Sequence, residues 1–170
     1  MRSRRIAGTF LALGLIMALG SFFPSGASGA VTDIQGTDFW LAMPRNYDGG
    51  ITYTFSPSLF IAGGEAAAGT VEIPGLPFSV PFTLVPDVVT TIPLPIAAML
   101  TSDDGTAPLG IHVTSDRDVM VYLMDQMTYS TDATVCMPTD SLGTRHLIMS
   151  YANRQAGQVF ATEFVVVAAE

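Results

Sequence analysis

The sequence predicts an all-β fold, an antiparallel β-sandwich-like domain, and three observations carry that prediction. From Gly36 onward, apolar and polar residues alternate or form short β-branched runs. Each run is closed by Pro, Gly, Asp or Ser, and ten prolines and eleven glycines from Gly36 onward supply many of those stops. No long amphipathic helical stripe can be drawn, so neither alternating βα units nor a helical bundle fits the pattern.

The first thirty residues are read separately, as a signal peptide. Arg2, Arg4 and Arg5 make a positive start, Ile6 to Leu19 is an apolar run, and Ser28-Gly29-Ala30 offers small residues for cleavage. The apolar run falls short of the ~20 residues a membrane-spanning helix needs, so no integral membrane segment is expected in the mature chain. Ser3-Arg4-Arg5 partly matches a twin-arginine signal, but the rest of that motif is poor and ordinary secretion is the better reading. The mature domain is therefore expected to span Val31 to Glu170 and to be secreted or held at the cell surface.

Along that domain, Phe39, Leu41 and Met43 share one face of an extended segment while Trp40 and Ala42 share the other, and Pro44 ends it. Ile51 to Phe55 and Leu59 to Ala62 read as strands separated by Ser56-Pro57-Ser58. Gly63 to Gly69 reads as a flexible link, because flanking glycines defeat the helical preference of its three alanines. Thr70 to Ile73 alternates, and so does Phe78 to Val85, where Pro81 places the strand at a sheet edge or bulge. Val88 to Leu94 is a further strand, Pro95 to Leu100 a helical turn, and Thr101 to Gly105 a surface loop. Gly110 to Leu123, Ala133 to Met137 and Thr144 to Tyr151 are the next strands, with Pro138 to Gly143 as a corner between the last two. Phe160 to Ala169 is an apolar strand candidate with no following partner in sequence, and the chain is expected to be a truncated copy or fragment of a longer protein.

Charge and cysteine content narrow the setting. The whole chain carries a formal net charge of −8. Beyond Ala30 there are only Arg45, Arg117, Arg145 and Arg154, no lysine, and all fifteen carboxylates, so the mature charge is −11. Such a surface repels phosphate and argues against nucleic acid or anionic membranes as partners. Cys136 is the single cysteine, so no intrachain disulfide can form, and a core drawn from the 49% hydrophobic residues must hold the domain. Within Val135-Cys136-Met137 it reads as a buried small hydrophobe rather than a nucleophile.

Several segments, Gly36 to Tyr47, Gly110 to Asp116, Val119 to Tyr122, Pro138 to Thr144 and Ser150-Tyr151, together resemble the amino-terminal domain of IgG Fc-binding proteins. That domain also occurs in many secreted bacterial surface proteins. The resemblance covers Gly36 to Glu170. It implies a β-rich extracellular module in proteins of adhesion or ligand binding, and it supplies no catalytic residues to carry over. It also implies that the strand resembling Phe164 to Glu170 continues into further β structure.

Three kinds of site are open on residue chemistry. His112, His146, Asp140 and Ser141 contain the groups of a hydrolytic triad, but Ser141 lacks the Gly-x-Ser-x-Gly setting of a strained nucleophile elbow, so no catalytic residue is assigned. Asp103 with Asp104, and Asp116 with Asp118, are oxygen-rich loop pairs that suit a structural Ca²⁺, although none follows a known calcium-loop spacing; no other cofactor is expected. Tyr47 and Tyr129 stand near turns as candidate exposed contact residues, whereas Trp40 and Tyr122 lie in strands and are expected in the core. The function expected is non-enzymatic adhesion or recognition of an extracellular protein or glycan, with two alternatives: a secreted hydrolase or its accessory domain, and a truncated, non-functional fragment of a larger surface protein.

Overall fold

The computed structural model describes residues 33–46, 55–102, 104–128, 130–149 and 163–169, together with the backbone of two short strands at 153–155 and 158–160. All of these belong to one compact unit, Asp33–Glu170. The leader, Met1 to Ala30, and Ile51 to Thr54 of an expected strand lie outside the described residues.

Nine strands are described: β1 Gly36–Leu41, β2 Ser58–Ala62, β3 Ala67–Ile73, β4 Phe78–Leu84, β5 Thr90–Pro93, β6 Ile111–Met127, β7 Ser130–Cys136, β8 Asn153–Gln155 and β9 Gln158–Phe160. The fold is all-β, and every strand-to-strand pairing among them is antiparallel. β8 and β9 form a separate two-stranded hairpin, while the other seven make one sheet.

That sheet is organised on β6, whose 17 residues serve two half-sheets in succession. Its first half runs between β1 and β3, with β4 beyond β3. Its second half runs between β7 and β2, with β5 beyond β2. Between the halves β1 changes register: Gly36 pairs with Val119 and Asp38 with Thr114, so Ser115 to Asp118 of β6 stand opposite the single residue Thr37. A bulge of this kind bends the strand and increases its twist, which curls both half-sheets around a shared interior.

Alternation along β6 survives the bend. Ile111, Val113, Val119, Val121 and Leu123 all point inward and are almost fully buried. They meet Phe39 and Leu41 of β1, Leu59 and Ile61 of β2, Val71 and Ile73 of β3, Phe82 and Leu84 of β4 and Ile92 of β5 in one core. Each such side chain contributes about 1.5–3 kcal/mol on burial, which is how the domain holds together without a disulfide.

Several expectations are corrected. Ala67 to Gly69 are part of β3 rather than a link: the Ala68 amide donates to Asp116 Oδ1 at 2.8 Å, and Gly69 pairs with both Phe82 and Ser115. Asp116 and Asp118 lie within β6 at its bulge rather than in a loop, because β1 pairs with β6 on both sides of them, at Thr114 and at Val119; β6 also continues to Met127 rather than ending at Leu123. The strand expected over Val88 to Leu94 shortens to β5, with Asp87 turning at φ 59° and its amide tied to the Gly63 carbonyl. Residues 144–149 form no strand, and Leu147 is 97% exposed despite its apolar neighbours. Of the expected strand Phe160 to Ala169, Phe160 alone among the described residues falls in a ladder, and residues 163–169 have none. In both cases a favourable β pattern lacks a neighbouring strand to pair with. The turn expected over Pro95 to Leu100 is a 3-10 turn at Ile96–Ala98, and Pro81 lies in β4 at one end of the sheet path.

Candidate functional site

On the outer face of the first half-sheet, register brings side chains of β1 and β3 to one histidine on β6. Trp40 on β1 and Glu72 on β3 both pair directly with His112, so all three side chains share the face opposite the core. The Trp40 and His112 rings stack with centroids 4.2 Å apart and planes 9° from parallel. His112 Nε2 lies 2.7 Å from Asp38 Oδ1, and Nδ1 lies 3.2 Å from Glu72 Oε1. Thr139, at the start of a 3-10 turn at Thr139–Ser141, donates its hydroxyl to the Asp38 carbonyl and to Asp38 Oδ2 at 3.0 and 3.1 Å.

Both His112 nitrogens are taken up by carboxylates, and the nearby hydroxyl, Thr139, is turned to Asp38 rather than to the ring. The arrangement suits a cross-strand clamp joining β1, β6, β3 and the Thr139 turn. His112→Ala should therefore lower stability by about 1–2 kcal/mol, measured by urea unfolding, through loss of its hydrogen bonding to the Asp38 and Glu72 carboxylates and of one ring stack.

The residues that made a triad on paper are not brought together as one. Ser141 Oγ donates to the Asp33 carbonyl at 2.9 Å, and His146 Nε2 donates to the Gly143 carbonyl at 2.8 Å. Asp140 lines a shallow cleft with Thr37, Asp38 and Thr139. Among the oxygen-rich pairs, Asp103 lies outside the described residues, Asp104 occupies a left-handed turn at φ 51°, Asp116 holds the Ala68 amide, and Asp118 is exposed. Among the described residues no group of three or more His, Cys, Asp or Glu could hold a metal ion. Tyr47 and Tyr129 both lie outside the described residues.

Cys136 is buried, and that burial pushes its thiol up to about 11. Little thiolate exists near neutral pH, so a thiol-specific disulfide reagent should react with the native chain far more slowly than with the urea-unfolded chain at the same pH.

A second surface was only half visible in the sequence. On the outer face of the second half-sheet, Val135 of β7 pairs with Tyr122 of β6, which pairs in turn with Phe60 of β2. Beside that row stand Ala133 and Met124 on one flank, and Met120 and Ala62 on the other. Tyr122 and Val135 are 38% and 39% exposed, so Tyr122 is not in the core as expected: it falls between inward-facing Val121 and Leu123 and must point out. None of these seven residues is charged, although the chain as a whole is strongly acidic. Alternation flags Tyr122 as facing opposite to Val121, but only the β2–β6–β7 pairing reveals that Phe60 and Val135 join it.

Beneath that half-sheet lies a buried polar pair. Asn46 Nδ2 donates to Asp125 Oδ1 at 2.9 Å, and Asp125 is 6% exposed. Burial raises the Asp125 carboxyl above its ordinary value, the Asn46 hydrogen bond opposes that, and the cross-strand Asp132 charge adds to it.

No helix among the described residues is long and apolar enough to cross a membrane. No family model, curated protein or solved structure matches the chain.

Proposed function

We propose that this chain is a non-enzymatic recognition module that works outside the cell, exported by its leader, and that it binds a protein partner through the outer face formed by β2, the second half of β6 and β7. The observation that carries this reading is the uncharged row Phe60, Tyr122 and Val135 with its methionine and alanine flanks. A contiguous apolar patch on an otherwise acidic surface is the usual mark of a protein interface, and an amphipathic tyrosine at its centre suits one. The face offers few of the polar groups that a glycan's hydroxyls need, which favours protein over carbohydrate. The resemblance to the amino-terminal domain of IgG Fc-binding proteins points the same way, towards adhesion.

The test is solution binding of the full chain to two probes, purified IgG Fc fragment and purified mucin. Saturable binding of a protein surface that free sugars do not compete supports the reading. Binding to mucin alone, abolished by free sugars, replaces it with glycan recognition. Ester or peptide hydrolysis that disappears in Ser141→Ala and His146→Ala chains replaces it with the hydrolase alternative.

A further inference from the structure

We infer that the outer edge of β7 takes up an extended segment of the partner protein as an added antiparallel strand, and that this segment alternates apolar with basic residues. This rests on the reading of the β2, β6 and β7 face as the binding surface, and it names the partner's chemistry.

The other outer strands of the sheet are blunted. Pro81 lies in β4, and β5 is four residues long and ends in Pro93, with the Thr90 hydroxyl donating to the Thr83 carbonyl of β4. The edge of β1 carries the bulge, and its Asp38 carbonyl accepts the Thr139 hydroxyl. β7 has none of these devices. It runs seven residues without Pro or Gly, pairs with β6 alone, and is exposed on both faces from Thr131 to Val135. Parity shows which of its backbone groups are open. The Ser56 amide donates to the Gln126 carbonyl, so even-numbered residues in this half of β6 bond towards β2 and odd-numbered ones towards β7. Asp125 and Leu123 thus hold Asp132 and Thr134, while Thr131, Ala133 and Val135 turn their N–H and C=O groups outward.

Ala133 and Val135 lie on the uncharged face, so the side chains opposite them on an added strand extend the row of Phe60, Tyr122 and Val135 and suit apolar residues. The alternate side chains fall on the other face, beside Asp132. That carboxylate stands across from Asp125 and is paired with no cation among the described residues. A lysine or arginine of the partner answers its charge. Asp132 also repels an acidic strand, and this chain carries no lysine and fifteen carboxylates, so charge selects a basic partner over a second copy.

The probe that tests this is a fluorescent heptapeptide of alternating valine and lysine, titrated with the full chain and read by anisotropy. In antiparallel addition the valines, opposite Ala133 and Val135, donate their N–H groups to β7, and the lysines donate away from it. N-methylation of the valines should therefore abolish binding, while N-methylation of the lysines, at identical charge, should leave it intact. Ala133→Pro removes only an outward N–H, so it should lower affinity about tenfold or more with an unchanged thermal midpoint, and Asp132→Asn should weaken binding about threefold. Equal effects of the two methylation patterns, affinity untouched by Ala133→Pro, or no binding of the peptide overturns the inference. So does a chain already dimeric by light scattering whose dimer is lost in Ala133→Pro, which gives the edge to a second copy. IgG Fc binding that is lost in Tyr122→Lys but kept in Ala133→Pro leaves the face standing and overturns the edge alone.

Discussion

Gly69→Val is expected to leave the chain largely unfolded, and Gly69→Ala to lower its stability by about 3 kcal/mol in urea unfolding. Gly69 faces inward on β3, between Phe82 of β4 and Ser115 of β6. A Cβ built there meets the Thr114 carbonyl oxygen and the Phe82 ring, with the ring's Cε1 at 2.7 Å. Phe82 is 5% exposed and fills the space the missing side chain leaves, so it has no room to withdraw. Backbone on the other side belongs to β6 at its bend, the strand on which both half-sheets depend. A domain of this size is stable by only about 5–15 kcal/mol, so a valine at this position removes a large share of it. The control is Ala68→Val one residue away on the opposite, exposed face, which should stay within about 0.5 kcal/mol of the parent.

Asn46→Ala is the second large effect, expected to cost about 1–3 kcal/mol near neutral pH by stripping the hydrogen-bond donor from a buried carboxylate. The companion change, Asp125→Asn, is expected to stabilise the chain at neutral pH. The sign follows from burial: the folded-state carboxyl of Asp125 sits above its ordinary value of 3.8, so the folded chain holds this proton more tightly than the unfolded one. Its contribution to stability is fully present below that ordinary value, falls as pH rises through the window up to the raised folded value, and stays flat above it. Asp125→Asn should remove that part of the slope and relieve the repulsion from Asp132 across the strands. Thermal unfolding of both chains over a pH series reads the difference directly.

Much of the fold was legible because strand alternation is a local signal. Phe39 with Leu41, and Phe82 with Leu84, were put on shared faces by their own spacing, and those faces are the buried ones; Pro81, read as an edge or a bulge because it cannot donate to a ladder, lies in the end strand of the sheet path. What could not be read was pairing. Residues 144–149 and 163–169 have the composition of strands, yet a strand exists only with a neighbour, and no local pattern names one. The bend in β6 hid for a similar reason: Ser115-Asp116-Arg117-Asp118 looks like a turn, and only the register jump of β1 shows the strand passing through it.

The same holds for the surfaces. Asp38, Glu72 and His112 are far apart in sequence, and their convergence depends on β1 and β3 flanking the same stretch of β6. Asp125 gave no sign of being buried except its odd number in the β6 alternation, which placed it with Leu123 and Val121. From sequence Tyr122 reads as core, since a run such as Val121-Tyr122-Leu123 looks apolar on both faces.

On the proposed reading it is the Phe60, Tyr122 and Val135 face, rather than the His112 clamp, that meets a partner. The measurement that tests it most directly is the affinity of the full chain for the IgG Fc fragment, compared between Tyr122→Lys with Val135→Lys and, on the opposite half-sheet, Glu72→Lys. The double variant should lose affinity by about tenfold or more while its circular dichroism is unchanged, and Glu72→Lys should bind as the parent does. Undiminished binding by the double variant, or loss confined to Glu72→Lys, would contradict it.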